Sequence, residues 1–314
     1  MTFSVISTFS GCGGSSLGYK LAGGDVRLAV EWNNNAVATY RLNFPDTPIY
    51  HGDIAKITVD QCWQKSGLEP GELDILDGSP PCQGFSTAGK RQMDDDRNQL
   101  FREYVRLLRG LKPKVFVMEN VSGMVKGKMR LVFADCLREM KASGYRIKAR
   151  VLNAKYFNVP QWRERMIFIG VRNDLEIEPS HPKAQGMPIS VQDVIPAEVG
   201  RRYVTFRNKG GGLRNDKSSA NKPLPAIMKN GVDYYSIAPR RQVPIAVLQV
   251  CQSLPAQWLW GKSTKSQIKS CLGNSVPPNF MRAIAEHIRD NILNGDGRTF
   301  DETGTERPEM ALST

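Results

Sequence analysis

The chain has 314 residues, 40% of them hydrophobic, and a formal net charge of +12, which supports one large domain or two unequal ones built on a substantial core. No apolar run approaches the roughly 20 residues that cross a bilayer, and the N-terminus has no charged region leading into an apolar one, so neither a membrane span nor a secretory signal is expected and the cytoplasm is the expected location. Six cysteines (12, 62, 82, 136, 251 and 271) without a C-x-x-C pair, and only three histidines (51, 181 and 287), argue against a metal site, a disulfide framework and a histidine-dependent hydrolase.

Short apolar runs broken by Gly, Pro and Asn recur at 3–9, 26–32, 48–54, 73–80, 114–120 and 165–171, each the length of a buried strand. Helix-like stretches at 34–44 and 99–111 lie between them. This alternation predicts an α/β fold, a Rossmann-like and mostly parallel sheet with helices on both faces. Ligands of such sheets bind beyond the carboxyl ends of the strands. Five polar clusters fall at those ends: Gly11 to Gly14, Glu31-Trp32, Asp53, Pro80-Pro81-Cys82 and Glu119-Asn120.

The first cluster, FSGCGGSSLG (9–18), is a glycine-rich turn between strand and helix, where backbone can approach a ligand closely. Glu31, ending the next strand, adds a carboxylate suited to ribose hydroxyls, and together they point to an adenosine-containing cofactor. Ser16 stands at the third glycine position of G-x-G-x-x-G, which counts against a nicotinamide cofactor.

GSPPCQGFS (78–86) mounts Cys82 behind two prolines, on a stiff arm that a packed core cysteine does not need. The two readings are a thiolate nucleophile and a small packed loop residue. GFSTAGKR (84–91) nearly matches a phosphate-binding loop, but Arg91 replaces the hydroxyl residue that would hold magnesium. Glu119 is either a partly desolvated carboxyl suited to proton donation or a surface carboxylate. In QWRER (161–165), Arg163 and Arg165 lie two apart, so extended backbone would aim both at one phosphate or base edge; a solvated strand end is the alternative.

After residue 172 the chain becomes rich in Pro, Gly and basic residues. Between 200 and 270 it carries thirteen Lys or Arg against two acids, +11 of the +12. Such segregation indicates a polyanion-binding surface. The expected organisation is a catalytic and cofactor-binding domain (1–172), a smaller basic domain (173–268), a segment returning to the first domain (269–294) with a helix over 277–292, and a disordered tail (295–314). Gly210 to Gly212 are either a bare linker or a loop lying against nucleic-acid backbone.

Taken in order, FSGCGGSSLG, EWN, GDI, GSPPCQGFS, MENV, QWRER and GNSVPPNF resemble the successive motifs of the DNA (cytosine-5)-methyltransferases of bacterial and phage type, over about residues 3–292. The resemblance implies a fold that binds S-adenosylmethionine, with Phe9, Ser10, Gly11, Gly13 and Gly14 cradling it, Glu31 on its ribose, and Trp32, Asp53 and Ile54 at its adenine. Pro80, Asn274 and Ser275 complete that pocket, and no metal is implied. It implies a flipped-out cytosine in double-stranded DNA. It further implies that Cys82 attacks carbon-6, Glu119 holds a proton at N3 and Arg165 contacts O2, with Arg163 in the same Gln-x-Arg-x-Arg motif.

By the same resemblance, residues 173–268 occupy the place of a target-recognition domain. Gln83, Ser86, Gln161, Arg201, Arg202, Arg207, Lys209 and Arg240 are the candidate nucleic-acid contacts. The expectation is a monomeric, cytoplasmic and nucleoid-associated enzyme, with a cognate restriction endonuclease as a candidate companion and no membrane partner. Two positions depart from the family pattern: Ser7 stands where an acidic residue usually ends the first strand, and Ile245-Ala246 stand where an Arg-Glu pair is usual. The competing readings are a transfer-RNA cytosine-5 methyltransferase, for which no Cys-Phe-Thr is found in the small domain, a non-catalytic DNA-binding relative, and a nicotinamide dehydrogenase.

Overall fold

The computed structural model describes residues 2–81, 96–125, 129–209, 212–228, 232–236 and 241–294. The first half alternates strand and helix: β1 (Phe3–Thr8), α1 (Gly14–Leu21), β2 (Gly24–Glu31), α2 (Asn34–Asn43), β3 (Ile49–His51), α3 (Val59–Ser66), β4 (Ile75–Gly78), α4 (Asp96–Leu111), β5 (Val115–Val121) and α5 (Met129–Ala142). Then come β6 (Tyr145–Asn153), β7 (Gln161–Trp162), β8 (Glu164–Arg172), α6 (Val191–Val194), β9 (Arg202–Lys209), β10 (Gly212–Ser219), β11 (Leu224–Pro225), β12 (Val232–Ser236) and β13 (Arg241–Gln242). Helices α7 (Ile245–Cys251), α8 (Lys265–Asn274) and α9 (Pro278–Ile288) follow, the last running into a π-type turn at Arg289–Leu293.

A seven-stranded sheet in the order β3-β2-β1-β4-β5-β8-β6 forms the centre. The first five strands of that order run parallel, whereas β8 is antiparallel to both β5 and β6. Because side chains alternate across a strand, neighbouring apolar residues enter opposite cores. Val5, Ile75, Val117 and Ile167 pack with Tyr19 of α1 and with Phe280, Met281 and Ile284 of α9. Ile6, Leu76, Phe116 and Phe168 pack with Tyr104 and Leu108 of α4 and Met140 of α5. The carboxyl ends of β1, β2, β4 and β5 therefore open at one edge of a sheet covered on both faces.

The edge strand β6 carries no continuous apolar run. It places Arg146, Lys148 and Arg150 at alternate positions, as a strand with one wet face does, and apolar-run reading passes over it.

A separate four-stranded antiparallel sheet, β10-β9-β12-β13, lies within 202–242, while β11 pairs with β7. A third core joins Tyr40 and Phe44 of the α2 region to Val191, Leu224, Val247, Leu248, Leu254, Trp258 and Leu272, so the segments flanking this sheet bury their apolar residues against the catalytic domain. Gly210 and Gly211 lie outside the described residues, and Gly212 begins β10. The tail 295–314 also lies outside the described residues.

Candidate active site

Past β1 the chain turns sharply: Phe9, Gly11 and Gly13 take φ of 53°, 55° and 96°, a left-handed region that costs non-glycine residues. The Gly13 amide donates to the Ser10 carbonyl at 3.0 Å, and the Ser10 amide to the Val30 carbonyl at 3.2 Å. The buried Glu31 carboxylate closes this turn from β2. Its Oε2 accepts from the Gly11 amide at 2.8 Å, and its Oε1 from the amides of Trp32 and Asn33 at 3.0 and 2.9 Å. Trp32 beside it is 75% exposed. The Gly52 amide donates to the Glu31 carbonyl at 3.0 Å, which brings exposed Asp53 and buried Ile54 to the same edge.

Gly14 shows why distant sequence belongs to this turn. A Cβ there would run into Ser275 Oγ and the Val276 carbonyl, so the buried Ser275 lies directly against the glycine turn, while Asn274 just before it ends α8 and is exposed.

The second half of the site grows from β4 and β5. Asn120 donates through Nδ2 to the Pro80 carbonyl at 3.0 Å, fixing the base of the proline arm. Cys82, Gln83 and Ser86 lie outside the described residues. Beside the arm, Arg165 Nε and Glu119 Oε1 form an ion pair at 2.6 Å, with side chains only 16% and 10% exposed. The antiparallel register, Glu119 opposite Ile167 and Val121 opposite Arg165, makes this pairing possible.

Arg163 does not join Arg165. Arg163 lies between β7 and β8, and its side chain turns inward. Arg163 is buried and donates through Nη1 and Nη2 to the carbonyls of Ile227 and Gly273, both at 3.1 Å. Gln161 is buried too: its Nε2 donates to Gln252 Oε1 at 2.7 Å and to the Cys251 carbonyl at 3.2 Å, and its Oε1 accepts from the Ile227 amide at 3.0 Å. Expected as a nucleic-acid contact, Gln161 is instead a buried tie from β7 to the end of α7 and the segment after β11, and Arg163, expected beside Arg165, holds two backbone carbonyls. Gln252 extends this network to the Ser275 carbonyl at 2.7 Å. The helix with Ile245-Ala246 is thus fixed by glutamines, for Gln249 also bonds the Pro255 carbonyl at 2.6 Å and Trp260 Nε1 at 2.8 Å.

Among the basic candidates, Arg201 pairs with Glu198 at 3.4 Å and Arg202 is exposed at the start of β9. Arg207 and Lys209 lie on β9, and Arg240 lies outside the described residues.

The residue that sequence reading missed is Asp77. Its Oδ2 accepts from Ser15 Oγ at 2.7 Å and Ser7 Oγ at 2.9 Å, and its Oδ1 from Tyr19 at 3.2 Å. The acid absent from position 7 is thereby supplied across the strand pair, from β4. Burial pushes the Asp77 carboxyl up to about 6, against the three hydroxyl donors that favour its charge and with the Glu119 charge adding to the rise. Among the described residues no group of His, Cys, Asp and Glu has the makings of a metal site, and no helix is long and apolar enough to cross a membrane.

The profile of the family C-5 cytosine-specific DNA methylase matches residues 3–230. The chain is 32% identical to Type II methyltransferase M1.HphI of Haemophilus parahaemolyticus, over 92% of its own length and 87% of that protein. It is 44% identical to Type II methyltransferase M.AquIA of Picosynechococcus over 54% of its length and 71% of the relative. The fold is shared with the crystal structure of a prophage-encoded E. coli protein assigned as a DNA modification methyltransferase, at a TM-score of 0.73 and 24% identity, over 93% of this chain and 99% of that one.

Proposed function

Because the chain belongs to the C-5 cytosine-specific DNA methylase family, and is on that ground a DNA cytosine-5 methyltransferase, we propose that it takes its methyl group from S-adenosylmethionine and delivers it to a cytosine flipped out of duplex DNA and bonded to Cys82. The observation that carries this reading is the Glu119–Arg165 ion pair beside the anchored proline arm, at the edge where the Gly11–Glu31 turn also opens.

The glycine turn fits the cofactor. Nothing lies within 4 Å of where a Gly11 Cβ would stand, so a ligand can meet bare backbone there. Exposed Trp32 offers a ring for adenine, and Glu31, Asp53 and Ile54 lie beside it. When bound, S-adenosylmethionine supplies the electrophilic methyl group that carbon-5 takes.

Cytosine carbon-5 is a weak nucleophile until the ring is activated, and its reacting edge is inaccessible in the base stack. The Cys82 thiolate adds to carbon-6, turning the ring into an enamine. Glu119 holds a proton toward N3 with the oxygen not engaged by Arg165, and Arg165 meets O2. Loss of the carbon-5 proton after methylation expels the thiolate and restores the aromatic ring. The prolines hold the sulfur on its line of attack, where reacting atoms lie about 3–3.5 Å apart. The Lys- and Arg-rich segment around β9 and β10 grips phosphates and reads base edges. A cognate restriction endonuclease is the natural companion, since the relatives are Type II methyltransferases.

The test is nucleoside mass spectrometry after incubation with methyl-labelled S-adenosylmethionine and either unmethylated duplex DNA or transfer RNA, with Cys82→Ser in parallel. Labelled 5-methylcytosine in DNA, absent with the variant, is expected. Label in RNA alone would overturn the substrate, and label with the variant would overturn the covalent step.

A further inference from the structure

Asp77 is a buried ionisable group that the chemistry above leaves unused. It is 2% exposed and ends no helix, yet three hydroxyls converge on its carboxylate. Each donor comes from an element that shapes the cofactor turn: Ser7 precedes the turn on β1, Ser15 follows it in the first turn of α1, and Tyr19 lies one helical turn further on. The Thr8 hydroxyl adds a bond to the Asp77 carbonyl at 2.9 Å. In the other direction, Asp77 stands five residues before Cys82 on the strand that becomes the proline arm. Next to it, Gly78 packs so closely on Thr8 and Tyr104 that a Cβ would lie 2.5 and 2.6 Å from their side chains.

We propose that Asp77 is a positioning residue for the methyl transfer, its carboxylate locking the cofactor turn to the strand that presents Cys82 so that both reactants keep one separation. The proposal rests on the assignment of the glycine turn to S-adenosylmethionine. A hydrophobic residue would fill the space as well, and a buried carboxylate costs solvation. What it adds is direction: three charge-assisted bonds fix two elements about one point.

Ionisation gives this lock a signature. Burial raises the Asp77 carboxyl to about 6, within reach of assay conditions. The charged or titratable groups facing it are Tyr19 on α1, Tyr40 on α2, Tyr104 on α4 and Glu119 on β5. Burial raises all three phenols, so none titrates near 6. Protonating Asp77 weakens the bonds to Ser7, Ser15 and Tyr19, and cofactor affinity falls with them.

The experiment is calorimetric binding of S-adenosylmethionine to the full chain between pH 5 and 7.5, for the wild type, Asp77→Asn and Ser15→Ala, with melting temperatures alongside. Asp77→Asn is expected to melt at or above the wild-type temperature at pH 7.5, because a buried charge is gone, while its affinity drops by about tenfold, the effect of weakening a charge-assisted bond. Wild-type affinity should fall as pH drops through about 6, and the Asp77→Asn profile should be flat. Ser15→Ala should weaken binding to a smaller extent. Equal affinity for wild type and Asp77→Asn overturns the proposal, as does an affinity loss that only tracks a lower melting temperature with the pH dependence intact. A wild type that does not bind S-adenosylmethionine at all instead overturns the cofactor assignment.

Discussion

Arg165 Nε lies 2.6 Å from Glu119 Oε1, an ion pair joining two antiparallel strands at the edge of the sheet where the proline arm emerges. Both side chains are largely removed from water, so each depends on the other for compensation of its charge. Arg165→Ala leaves a buried carboxylate alone and should cost about 3 kcal/mol of stability along with at least about 100-fold in kcat/KM. Glu119→Gln keeps the shape and one acceptor, so its melting temperature should lie above that of Arg165→Ala while its turnover is similarly depressed. Thermal melts and methyl incorporation on one DNA substrate test both. An Arg165→Ala protein as stable as the wild type would show that the pair is not a buried one.

Asn120 acts one residue further along β5. Its side chain makes two neutral hydrogen bonds, donating to the Pro80 carbonyl and accepting from the Val121 amide, so Asn120→Ala should lose about 1–2 kcal/mol of stability. The effect on turnover should be larger, about 10- to 100-fold in kcat, because a small displacement of a mounted nucleophile is costly. Affinity for S-adenosylmethionine should not change, since Asn120 bonds the arm and not the glycine turn. Unchanged kcat in Asn120→Ala would remove this residue from the site.

Much of this arrangement is legible in the sequence, and the omissions have physical causes. Strands buried on both faces announce themselves as apolar runs, and the polar residues at their ends converge as sheet topology requires. The strand Tyr145–Asn153 escapes because one side of it is polar. Gln161 and Arg163 mislead for a different reason: a side chain's polarity does not reveal whether its partner is DNA or a buried carbonyl, and the carbonyls of Ile227 and Gly273 that hold Arg163 are distant in sequence. Asp77 follows an Ile-Leu pair and reads as the end of a strand. Only the cross-strand register that puts it opposite Ser7 gives it a role.

Gly14 tests the contact between the two ends of the chain. Gly14→Ala drives a methyl group into Ser275 Oγ and the Val276 carbonyl, and overpacking of this kind costs about 1–3 kcal/mol. Cofactor affinity should fall with it. Adding Ser275→Gly removes one of the two obstacles, so the double variant should recover part of the lost stability, measured by chemical denaturation. No recovery would mean that the turn yields toward Val276 instead.

Arg163 bonds carbonyls from two segments, Ile227 before β12 and Gly273 in α8, and so joins the catalytic sheet to both. Replacing it with Met preserves length and apolar packing but leaves those carbonyls without their charged donor. Arg163→Met should lose about 3 kcal/mol, within the range for disrupting a buried charged network. It should also weaken DNA binding more than cofactor binding, because β9, β10 and β12 lie beyond this tie. Filter binding of a duplex and calorimetry with S-adenosylmethionine separate the two, and a loss confined to the cofactor would contradict the assignment.

Buried Asp77 and half-buried His181 give stability opposite pH slopes. Burial lowers His181 to about 4 even though it donates through Nε2 to the Ile167 carbonyl at 2.9 Å. The unfolded chain then binds the proton more readily, so the stability linked to His181 is present above about 6.5 and is lost as pH falls through about 4. Asp77 runs the other way. Its carboxyl is raised to about 6, so the folded protein binds the proton more readily, and the associated stability is present below about 4 and lost as pH rises through about 6. Each contribution amounts to about 3 kcal/mol, and over the shared window the two largely offset. Relative to the wild type, His181→Phe should therefore lose stability more steeply as pH rises from 4 to 6, and Asp77→Asn should gain it. Denaturant midpoints at half-unit pH intervals decide the matter: parallel curves for all three proteins would mean that neither group changes its proton affinity on folding.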